Sequence, residues 1–267
     1  MKDSSSLLIA IEKQKKQMPI AFALKDRSQQ FTELLYRTLF DQDTSTQEGL
    51  AELERQFQFL RDLACPDRKN SPCKRWDDFC KQIPKLFADL KLDAQSIYEN
   101  DPAAQSIEEV YLAYPGFFAI AVYRMAHQFH QFGLPLIPRL MTEYAHQLTG
   151  IDIHPGARIG TPFFIDHGTG VVIGETTYIH DHVKIYQGVT LGALTVDKKL
   201  EKVKRHPTIE SYVTLYANAT VLGGATVIGA HSIIGGNAWI TDSVPPRSRV
   251  THQSKLEVRS QSNSTHE

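Results

Sequence analysis

Residues 209–239 read IESYVTLYANATVLGGATVIGAHSIIGGNAW, and a large apolar residue recurs in this stretch at every sixth position. The recurring residues are Ile209, Leu215, Val221, Val227, Ile233 and Trp239. An α-helix repeats its buried positions every 3.6 residues and an isolated strand every two, so a period of six fits neither. The period indicates short strands wound into a solenoid, in which the recurring residue points inward and successive turns stack about 4.8 Å apart.

The same period extends upstream and is interrupted twice. Its upstream members are Ile153, Ile159, Ile165 and Val171 and, after a slip of two residues, Ile173, Ile179, Ile185 and Leu191. The first interruption is the segment IDHGTG at 165–170, and the second is the loop 192–208, which returns through Lys204-Arg205-His206-Pro207. Since a regular solenoid presents a uniform surface, we expect any chemistry at these interruptions. Glycines at the expected corners tolerate unusual dihedral angles, and they include Gly156, Gly160, Gly174 and Gly229.

The chain divides near residue 150. Residues 1–150 have helical periodicity, with helices predicted around 31–39, 50–60, 76–86, from about 93, and around 115–132 and 138–148. Gly150 closes this part, where a C-terminal glycine is expected. The fold class is therefore α+β: an N-terminal all-helical domain followed by a parallel β-helix of hexapeptide repeats over 151–247.

Three further segments carry weaker signals. Residues 1–30 are polar and weakly patterned, which favours a mobile arm. The segment 66–72 is rich in Pro, Lys, Asp and Asn, which predicts a loop. Residues 248–267 are rich in Ser, Gln and Thr without periodicity, which predicts a flexible tail.

Composition excludes several functional classes. The formal net charge is −1, so no field of one sign favours a nucleic-acid or membrane-surface partner. No apolar run reaches the length of a transmembrane helix, and the start of the chain lacks a signal-peptide pattern. The three cysteines lack the spacing of a zinc site and favour reduced thiols. These features predict a soluble, cytoplasmic enzyme.

Several motifs, in this order along the chain, resemble the serine O-acetyltransferases, a branch of the hexapeptide acyltransferases. The matching segments are DPA at 101–103, Tyr123-Arg124 with His127, DIHPGA at 152–157, DHGTG at 166–170, IGET at 173–176, VTLG at 189–192 and RHP at 205–207. The resemblance covers roughly residues 93–246. It implies a left-handed coil, and transfer of the acetyl group of acetyl-CoA to the hydroxyl of L-serine in cysteine biosynthesis.

The resemblance also implies roles for individual residues. His167 is the general base, and Asp152 is the carboxylate that holds its ring. An imidazole titrating near neutrality suits the removal of a proton from an alcohol, and the family reaction is a direct attack without an acyl-enzyme. Asp101 and Asp166 are expected to bind the ammonium of serine and Arg205 its carboxylate, with His206 beside Arg205 as a further substrate-binding residue.

The coenzyme is expected along the outside of the coil. The turn at Gly192-Ala193, where the family has Gly-Gly, is the candidate amide donor to the developing oxyanion. Ala217, Ser232 and Gly235 match family positions near the coenzyme groove. The lysine-rich loop with Lys198, Lys199, Lys202 and Lys204 fits either contact with coenzyme phosphates or a solvated basic surface.

Assembly and alternatives follow from the resemblance as well. Family members form trimers with active sites between coils, and their helical parts join trimers into hexamers. Acetyl-CoA is a co-substrate, and neither a tightly bound cofactor nor a metal is expected. Family members often bind cysteine synthase through a C-terminal isoleucine, whereas this sequence ends Ser264-Thr265-His266-Glu267. The alternatives are a homoserine or sugar acceptor, a non-enzymatic scaffold, and a zinc hydratase that uses His180 and His182.

Overall fold

The computed structural model describes residues 4–17, 22–65, 76–195 and 203–253. Seven helices come first among these residues: α1 (Ser4–Gln17), α2 (Phe22–Phe40), α3 (Thr46–Ala64), α4 (Trp76–Asn100), α5 (Ile107–Ala113), α6 (Pro115–Gln131) and α7 (Ile137–Thr149). In the described part, no helix combines the length and the apolar character needed to cross a membrane.

Fourteen short strands follow the helices and form three parallel sheets. Sheet A contains β1 (Asp152–Ile153), β4 (Val172–Ile173), β7 (Thr190–Gly192), β10 (Thr220–Leu222) and β13 (Trp239–Ile240). Sheet B contains β2 (Arg158–Ile159), β5 (Tyr178–Ile179), β8 (Thr208–Ile209) and β11 (Val227–Ile228). Sheet C contains β3 (Phe163–Ile165), β6 (Val183–Ile185), β9 (Thr214–Leu215), β12 (Ile233–Ile234) and β14 (Arg249–Val250). The chain visits the three sheets in rotation, so the predicted α+β architecture with a β-helix is confirmed.

The turns between sheets stack into three corners of this triangular coil. The turns from sheet C to sheet A form the His167 corner, with residues 166–171, 186–189, 216–219 and 235–238. The turns from sheet A to sheet B form the Arg205 corner, whose described residues are 154–157, 174–177, 193–195, 203–207 and 223–226. The turns from sheet B to sheet C form the third corner, which includes residues 160–162, 180–182, 210–213 and 229–232.

Inward-pointing aliphatic residues stack from turn to turn and form the core of the coil. The column in sheet A consists of Ile153, Ile173, Leu191, Val221 and Ile240. The column in sheet B consists of Ile159, Ile179, Ile209 and Ile228. The column in sheet C consists of Ile165, Ile185, Leu215, Ile234 and Val250. The six-residue period therefore places the inward residues correctly as far as Val221.

Beyond Val221 the predicted inward residues are wrong by one position. Ile228, Ile234 and Ile240 point inward, whereas Trp239 is 70% exposed. Six residues, 222–227, lie between the inward residues of β10 and β11, where five (154–158 and 174–178) lie between those of the earlier strands, so that seven positions rather than six separate Val221 from Ile228. The sequence conceals this shift because each inward isoleucine follows another large apolar residue: Val227, Ile233 or Trp239.

The helical part also departs from the prediction. One continuous helix, α4, replaces the two helices expected over 76–86 and from about 93, and it passes through Pro84. Its buried face runs along the whole helix and includes Phe79, Leu86, Leu90 and Ile97, so packing maintains one axis despite the proline. Gly150 ends α7 in the left-handed conformation with a φ of 71°, as predicted.

The ends of the chain differ in part from the expected arm and tail. Two helices occupy most of the described residues before 30, and the described side chains of α1 are exposed. The coil continues past residue 247, because β14 pairs with β12. The predicted loop at 66–72 and residues 254–267 lie outside the described residues.

A buried ion pair joins the helices to the coil. Arg124 of α6 donates to Asp93 of α4 from Nε at 2.6 Å and from Nη2 at 2.8 Å. Arg124 also donates to the carbonyl oxygens of Ile159 and Gly160, and Asp93 accepts from the amide of Phe163. The helical part and the first turn of the coil are therefore held in one arrangement, which matters for the site below.

Candidate functional site

His167 lies in the turn after β3, at the first interruption of the repeat. Its backbone has a left-handed φ of 57°, and Asp166 Oδ1 accepts a hydrogen bond from its amide at 2.8 Å. The imidazole side chain is 69% exposed, and its Nδ1 lies 3.5 Å from Asp166 Oδ1. The turn thus presents an imidazole to solvent with a carboxylate beside it.

The rest of this turn packs against the start of β1. The amide of Gly170 donates to the carbonyl oxygen of Gly150 at 2.8 Å. A Cβ atom on Gly168 would lie 2.3 Å from Ile151 Cδ1, so glycine is needed there for close packing as well as for its φ of 77°. The two-residue slip therefore produces a wider turn that brings His167 near the strand bearing Asp152.

Asp101 reaches the same corner from the end of α4. Its Oδ2 accepts a hydrogen bond from the hydroxyl of Tyr114 at 2.6 Å, and its Oδ1 accepts one from the amide of Ala103 at 2.8 Å. These bonds, that of Tyr114 above all, and the charge of His167 hold the pKa of Asp101 below its usual value. Asp101 is therefore an ionised carboxylate close to His167.

Two tyrosines also belong to this corner, and neither was predicted from the sequence. Tyr114 connects α5 to α6 and holds Asp101. Tyr186 lies one turn along the coil from Asp166, and its ring stacks on that of Tyr216 with centroids 5.2 Å apart. The register of the repeat contains enough information to find Tyr186. The contact of Tyr114 depends on helix packing, which leaves no periodic signal.

Asp152 begins β1, but its hydrogen bond differs from the predicted one. Oδ1 accepts from Arg139 Nη1 at 3.4 Å, and among the described residues no hydrogen bond joins Asp152 to His167. Arg139 also forms an ion pair with Glu143, whose carboxylate lies 3.2 Å from His146 Nδ1. Helix α7 brings a guanidinium to Asp152, and its permanent positive charge attracts the carboxylate. The support of His167 by Asp152 stays a prediction.

Arg205 lies on the Arg205 corner, where the second interruption returns to the coil. Thr176 Oγ1 accepts hydrogen bonds from the amides of Arg205 at 2.9 Å and His206 at 3.1 Å. The guanidinium of Arg205 forms an ion pair with Glu175, to which the sequence assigned no role. Glu175 and Thr176 of the preceding turn therefore position the arginine.

His206 is buried and neutral. Its Nδ1 accepts a hydrogen bond from the amide of Thr176 at 3.1 Å, so that its proton resides on Nε2. Burial, followed by the charge of Arg205, lowers its pKa to about 4. A Cβ atom on Gly174 would lie 2.1 Å from the imidazole, so the ring is packed against the coil backbone. Arg205 supplies the positive charge at this corner, and a contact of His206 with substrate stays a prediction.

The predicted site residues fall mainly on two different corners. Asp166, His167, Ala217 and Gly235 share the His167 corner, with Asp101 beside them. Ala193, Arg205 and His206 share the Arg205 corner, which Gly192 adjoins as the last residue of β7. Because sheet A separates these corners, one copy of the chain does not bring the two sets together.

Ser232 departs from its predicted place. It lies on the third corner and is fully buried, where its hydroxyl donates to the Pro245 carbonyl at 3.0 Å and accepts from the Ser248 amide at 3.1 Å. Its hydrogen-bonding groups are thus used within the chain, away from Ala217 and Gly235. The correction arises because the sequence motif alone does not reveal which corner a residue occupies.

Lys204 and His182, for which the sequence left two interpretations, make contacts within the chain. Lys198, Lys199 and Lys202 lie outside the described residues, and Lys204 donates to the carbonyl oxygen of His206 at 2.5 Å. The ring of His182 stacks on that of Tyr212, with centroids 4.5 Å apart. Within the described ranges, the one grouping of three potential metal ligands is Glu143, His146 and Asp152. Arg139 forms ion pairs with both carboxylates of this grouping, those of Glu143 and Asp152.

Comparisons with known proteins show serine acetyltransferases among the relatives of this chain. A plasmid-encoded serine acetyltransferase of Synechococcus elongatus is 50% identical over 187 residues, which are 68% of this chain and 57% of that protein. A second serine acetyltransferase of the same organism is 50% identical over 128 residues, 51% of its length. The alignments thus span little more than half of these curated relatives. No protein-family model matches the chain.

Solved structures match over most of the chain. Serine acetyltransferase 1 of Entamoeba histolytica, in complex with L-cysteine, superposes with a TM-score of 0.75 at 35% identity, covering 84% of this chain and 86% of that one. Serine acetyltransferase of Brucella abortus, in complex with coenzyme A, superposes with a TM-score of 0.61 at 26% identity, covering 88% and 86%. Helices and coil match together in these relatives, and the chain therefore belongs to the serine acetyltransferase family of hexapeptide-repeat proteins.

Proposed function

We propose that this chain transfers the acetyl group of acetyl-CoA to the hydroxyl of L-serine, giving O-acetyl-L-serine and coenzyme A in the cytoplasm, as the first step of cysteine biosynthesis. The observation that carries the proposal is the grouping of an exposed imidazole, His167, with two carboxylates, Asp101 and Asp166, at one corner of the coil. Membership of the serine acetyltransferase family supports it, and so does the Entamoeba histolytica relative that binds L-cysteine.

The chemistry requires a base because an alcohol is a poor nucleophile until it loses its proton. His167 accepts the hydroxyl proton while the oxygen attacks the thioester carbonyl. As the tetrahedral intermediate collapses, the carbon–sulfur bond breaks and the imidazolium returns its proton to the departing thiolate. Asp166 lies within 3.5 Å of Nδ1, so it stabilises the imidazolium that forms in between. Asp152 remains the proposed carboxylate that holds the His167 ring and stabilises the imidazolium, although within one copy of the chain it accepts a hydrogen bond from Arg139.

Recognition of an amino acid requires opposite charges at its two ends. Asp101 and Asp166 offer carboxylates to the ammonium of serine. Arg205 offers a guanidinium to the carboxylate, held in place by Glu175. His206 shapes the Arg205 corner as a neutral, packed ring. A sugar acceptor carries no charges to satisfy these groups, which favours an amino-acid substrate.

The coenzyme arm is expected along the His167 corner, where small residues adjoin the tyrosines: Gly235 aligns with Tyr216 in the next turn, and Ala217 follows Tyr216 in the chain. Ala217 and Gly235 lie in successive turns beyond Tyr186, and small side chains leave space for an extended chain. The Ala193 amide has no hydrogen-bond partner among the described residues, so it is available to an oxyanion from the Arg205 corner. The coenzyme A complex of the Brucella abortus relative supports acetyl-CoA as co-substrate.

The two corners require a second copy of the chain to complete a site. We propose a trimer in which the His167 corner of one copy meets the Arg205 corner of the next, with sheet A facing the three-fold axis. The exposed apolar residues of sheet A support this arrangement, because Val172 is 38% and Trp239 is 70% exposed in the single chain. The helical parts then pair two trimers into a hexamer. A complex with cysteine synthase is not part of this proposal.

An acceptor panel tests the proposed function. Purified protein is incubated with acetyl-CoA and L-serine, L-homoserine or a galactoside, and released coenzyme A is measured with a thiol reagent. Turnover with L-serine at a kcat/KM at least tenfold above that with L-homoserine is the expected result. Turnover with the galactoside alone, or with none of the three, would reject it.

A further inference from the structure

We propose that Tyr114 is a positioning residue for the amino-acid substrate and that it acts through Asp101. The inference rests on the proposed function, in which the Asp101 carboxylate receives the ammonium of serine. Tyr114 itself need not touch the substrate, because its hydroxyl determines how the carboxylate is oriented.

The contacts of Asp101 leave it few orientations. The Tyr114 hydroxyl donates to Oδ2 at 2.6 Å, a distance typical of a strong hydrogen bond to a charged acceptor. The Ala103 amide donates to Oδ1 at 2.8 Å. A carboxylate accepts about four hydrogen bonds, so both oxygens retain lone pairs for an ammonium. Without the hydroxyl, only one tether would remain, and the carboxylate could rotate about its terminal bond.

Tyr114 is itself held firmly relative to His167. Tyr114 is the C-cap of α5 and the N-cap of α6, and Pro115 follows it. A Cβ atom on Gly116 would lie 2.3 Å from the carbonyl oxygen of Ile165, so α6 begins in direct contact with the end of β3. Asp166 and His167 follow Ile165 directly, in the turn after β3. The Tyr114 hydroxyl therefore transmits the position of this helix start to Asp101, and aligns the ammonium site with the base.

The expected consequence is a selective loss of serine binding. In Tyr114→Phe the ring and its packing are retained, and only the hydroxyl is removed. We expect the KM for L-serine to rise about tenfold, since a hydrogen bond to a charged group is lost. The KM for acetyl-CoA is expected to stay within about twofold, because the proposed coenzyme groove lies further along the coil.

A double-mutant cycle with Asp101→Asn tests the route through Asp101. Each single variant and the double variant are assayed with both substrates varied. Tyr111→Phe is the matched control. It removes the hydroxyl of a tyrosine in α5, and that hydroxyl makes no hydrogen bond within the described residues. The proposal expects Tyr114→Phe to have no further effect once Asp101 is changed, and Tyr111→Phe to behave as wild type.

Three results would overturn the proposal while wild-type protein acetylates serine. These are an unchanged serine KM in Tyr114→Phe, an effect of the same size in the Asp101→Asn background, or an equal rise in the acetyl-CoA KM. Wild-type protein that does not acetylate serine would reject the proposed function itself. Melting temperatures of all variants separate these results from a loss of folding.

Discussion

At the scale of single residues, the two histidines of the site differ in their exposure to solvent and in their hydrogen bonds. His167 is exposed in a turn, with a carboxylate beside it, so it can take a proton from a bound alcohol. His206 is buried, and its Nδ1 already accepts the amide hydrogen of Thr176. Protonation at that atom would break this bond. The exposure of His167 therefore supports its proposed role as the base, and the burial of His206 supports a packing role.

Replacement of His167 by Asn should abolish most of the activity without unfolding the protein. Asparagine tolerates the left-handed backbone at this position, so the turn is retained. We expect kcat to fall by about 10² to 10⁴, the usual contribution of a general base, with an unchanged melting temperature. His182→Asn is a matched control, because His182 is also exposed and left-handed with a φ of 60°, but lies on the third corner. Wild-type turnover in His167→Asn would remove this residue as the base.

The buried imidazole of His206 predicts a loss of stability in mild acid. Its pKa falls from 6.5 to about 4 on folding. The unfolded chain therefore binds more protons between these values, and folding stability declines as the pH is lowered from about 6.5 towards 4. His206→Asn preserves an acceptor for the Thr176 amide and removes the titrating ring. Melting temperatures across this pH range should decline less steeply for the variant, and equal slopes would contradict the assignment.

At the scale of secondary-structure elements, the first turn of the coil depends on α4 and α6. The Asp93–Arg124 pair lies between these helices and binds the backbone of β2, β3 and their connecting turn. Asp101 directly follows the last residue of α4, so the same ion pair helps to determine where this carboxylate lies relative to His167. Helix α4 runs unbroken through Pro84 because its apolar face is buried along its whole length. Packing therefore overrides a local helix-breaking signal here.

Removal of one member of this buried pair should be strongly destabilising. Arg124→Ala leaves the Asp93 carboxylate buried and without its countercharge, which costs about 3–5 kcal/mol of unfolding free energy. Lys81→Ala removes an exposed pair with Asp78 on α4, and this should cost at most about 1 kcal/mol. Urea denaturation of both variants measures the difference. Similar losses in the two variants would show that the buried pair is not the main link between helices and coil.

At the scale of the whole molecule, sheet A separates the proposed base, His167, from the proposed binding group for the substrate carboxylate, Arg205. The His167 corner holds the imidazole and two carboxylates, whereas the Arg205 corner holds the guanidinium. An isologous or cyclic assembly can unite such corners, and a three-fold arrangement repeats the union at every interface. The exposed Trp239 in sheet A gives this surface an apolar side chain to bury.

Mixed oligomers test whether the site is shared. His167→Asn and Arg205→Ala should each be inactive alone, because each destroys one half of every site. When the two are co-expressed in equal amounts, random assembly leaves about one quarter of the interfaces with an intact histidine and an intact arginine. We expect activity to recover to about that fraction of wild type. Continued inactivity of a mixed oligomer, verified by differently tagged subunits, would place both groups in one chain.

Much of the site could be predicted because its motifs lie at interruptions of a regular repeat. Asp166 and His167 are found in the turn that the two-residue slip widens, and Arg205 where the second interruption returns. Contacts between segments that are distant in the sequence could not be predicted. The pairing of Arg205 with Glu175 and the hydrogen bond of Tyr114 to Asp101 depend on neighbouring turns and on helix packing, which no spacing in the sequence records.

By itself, the sequence determined the coil, its first inward columns and the corner turns that carry chemistry. This is possible because a six-residue period is a local property: each recurring aliphatic side chain is buried in the interior of its own turn. Only the tertiary structure decided the register beyond Val221, the partner of Asp152 and the separation of the two corners. These depend on one extra residue between the inward positions of β10 and β11, on a guanidinium that α7 brings to Asp152, and on the width of a sheet, all of which are set by packing in three dimensions.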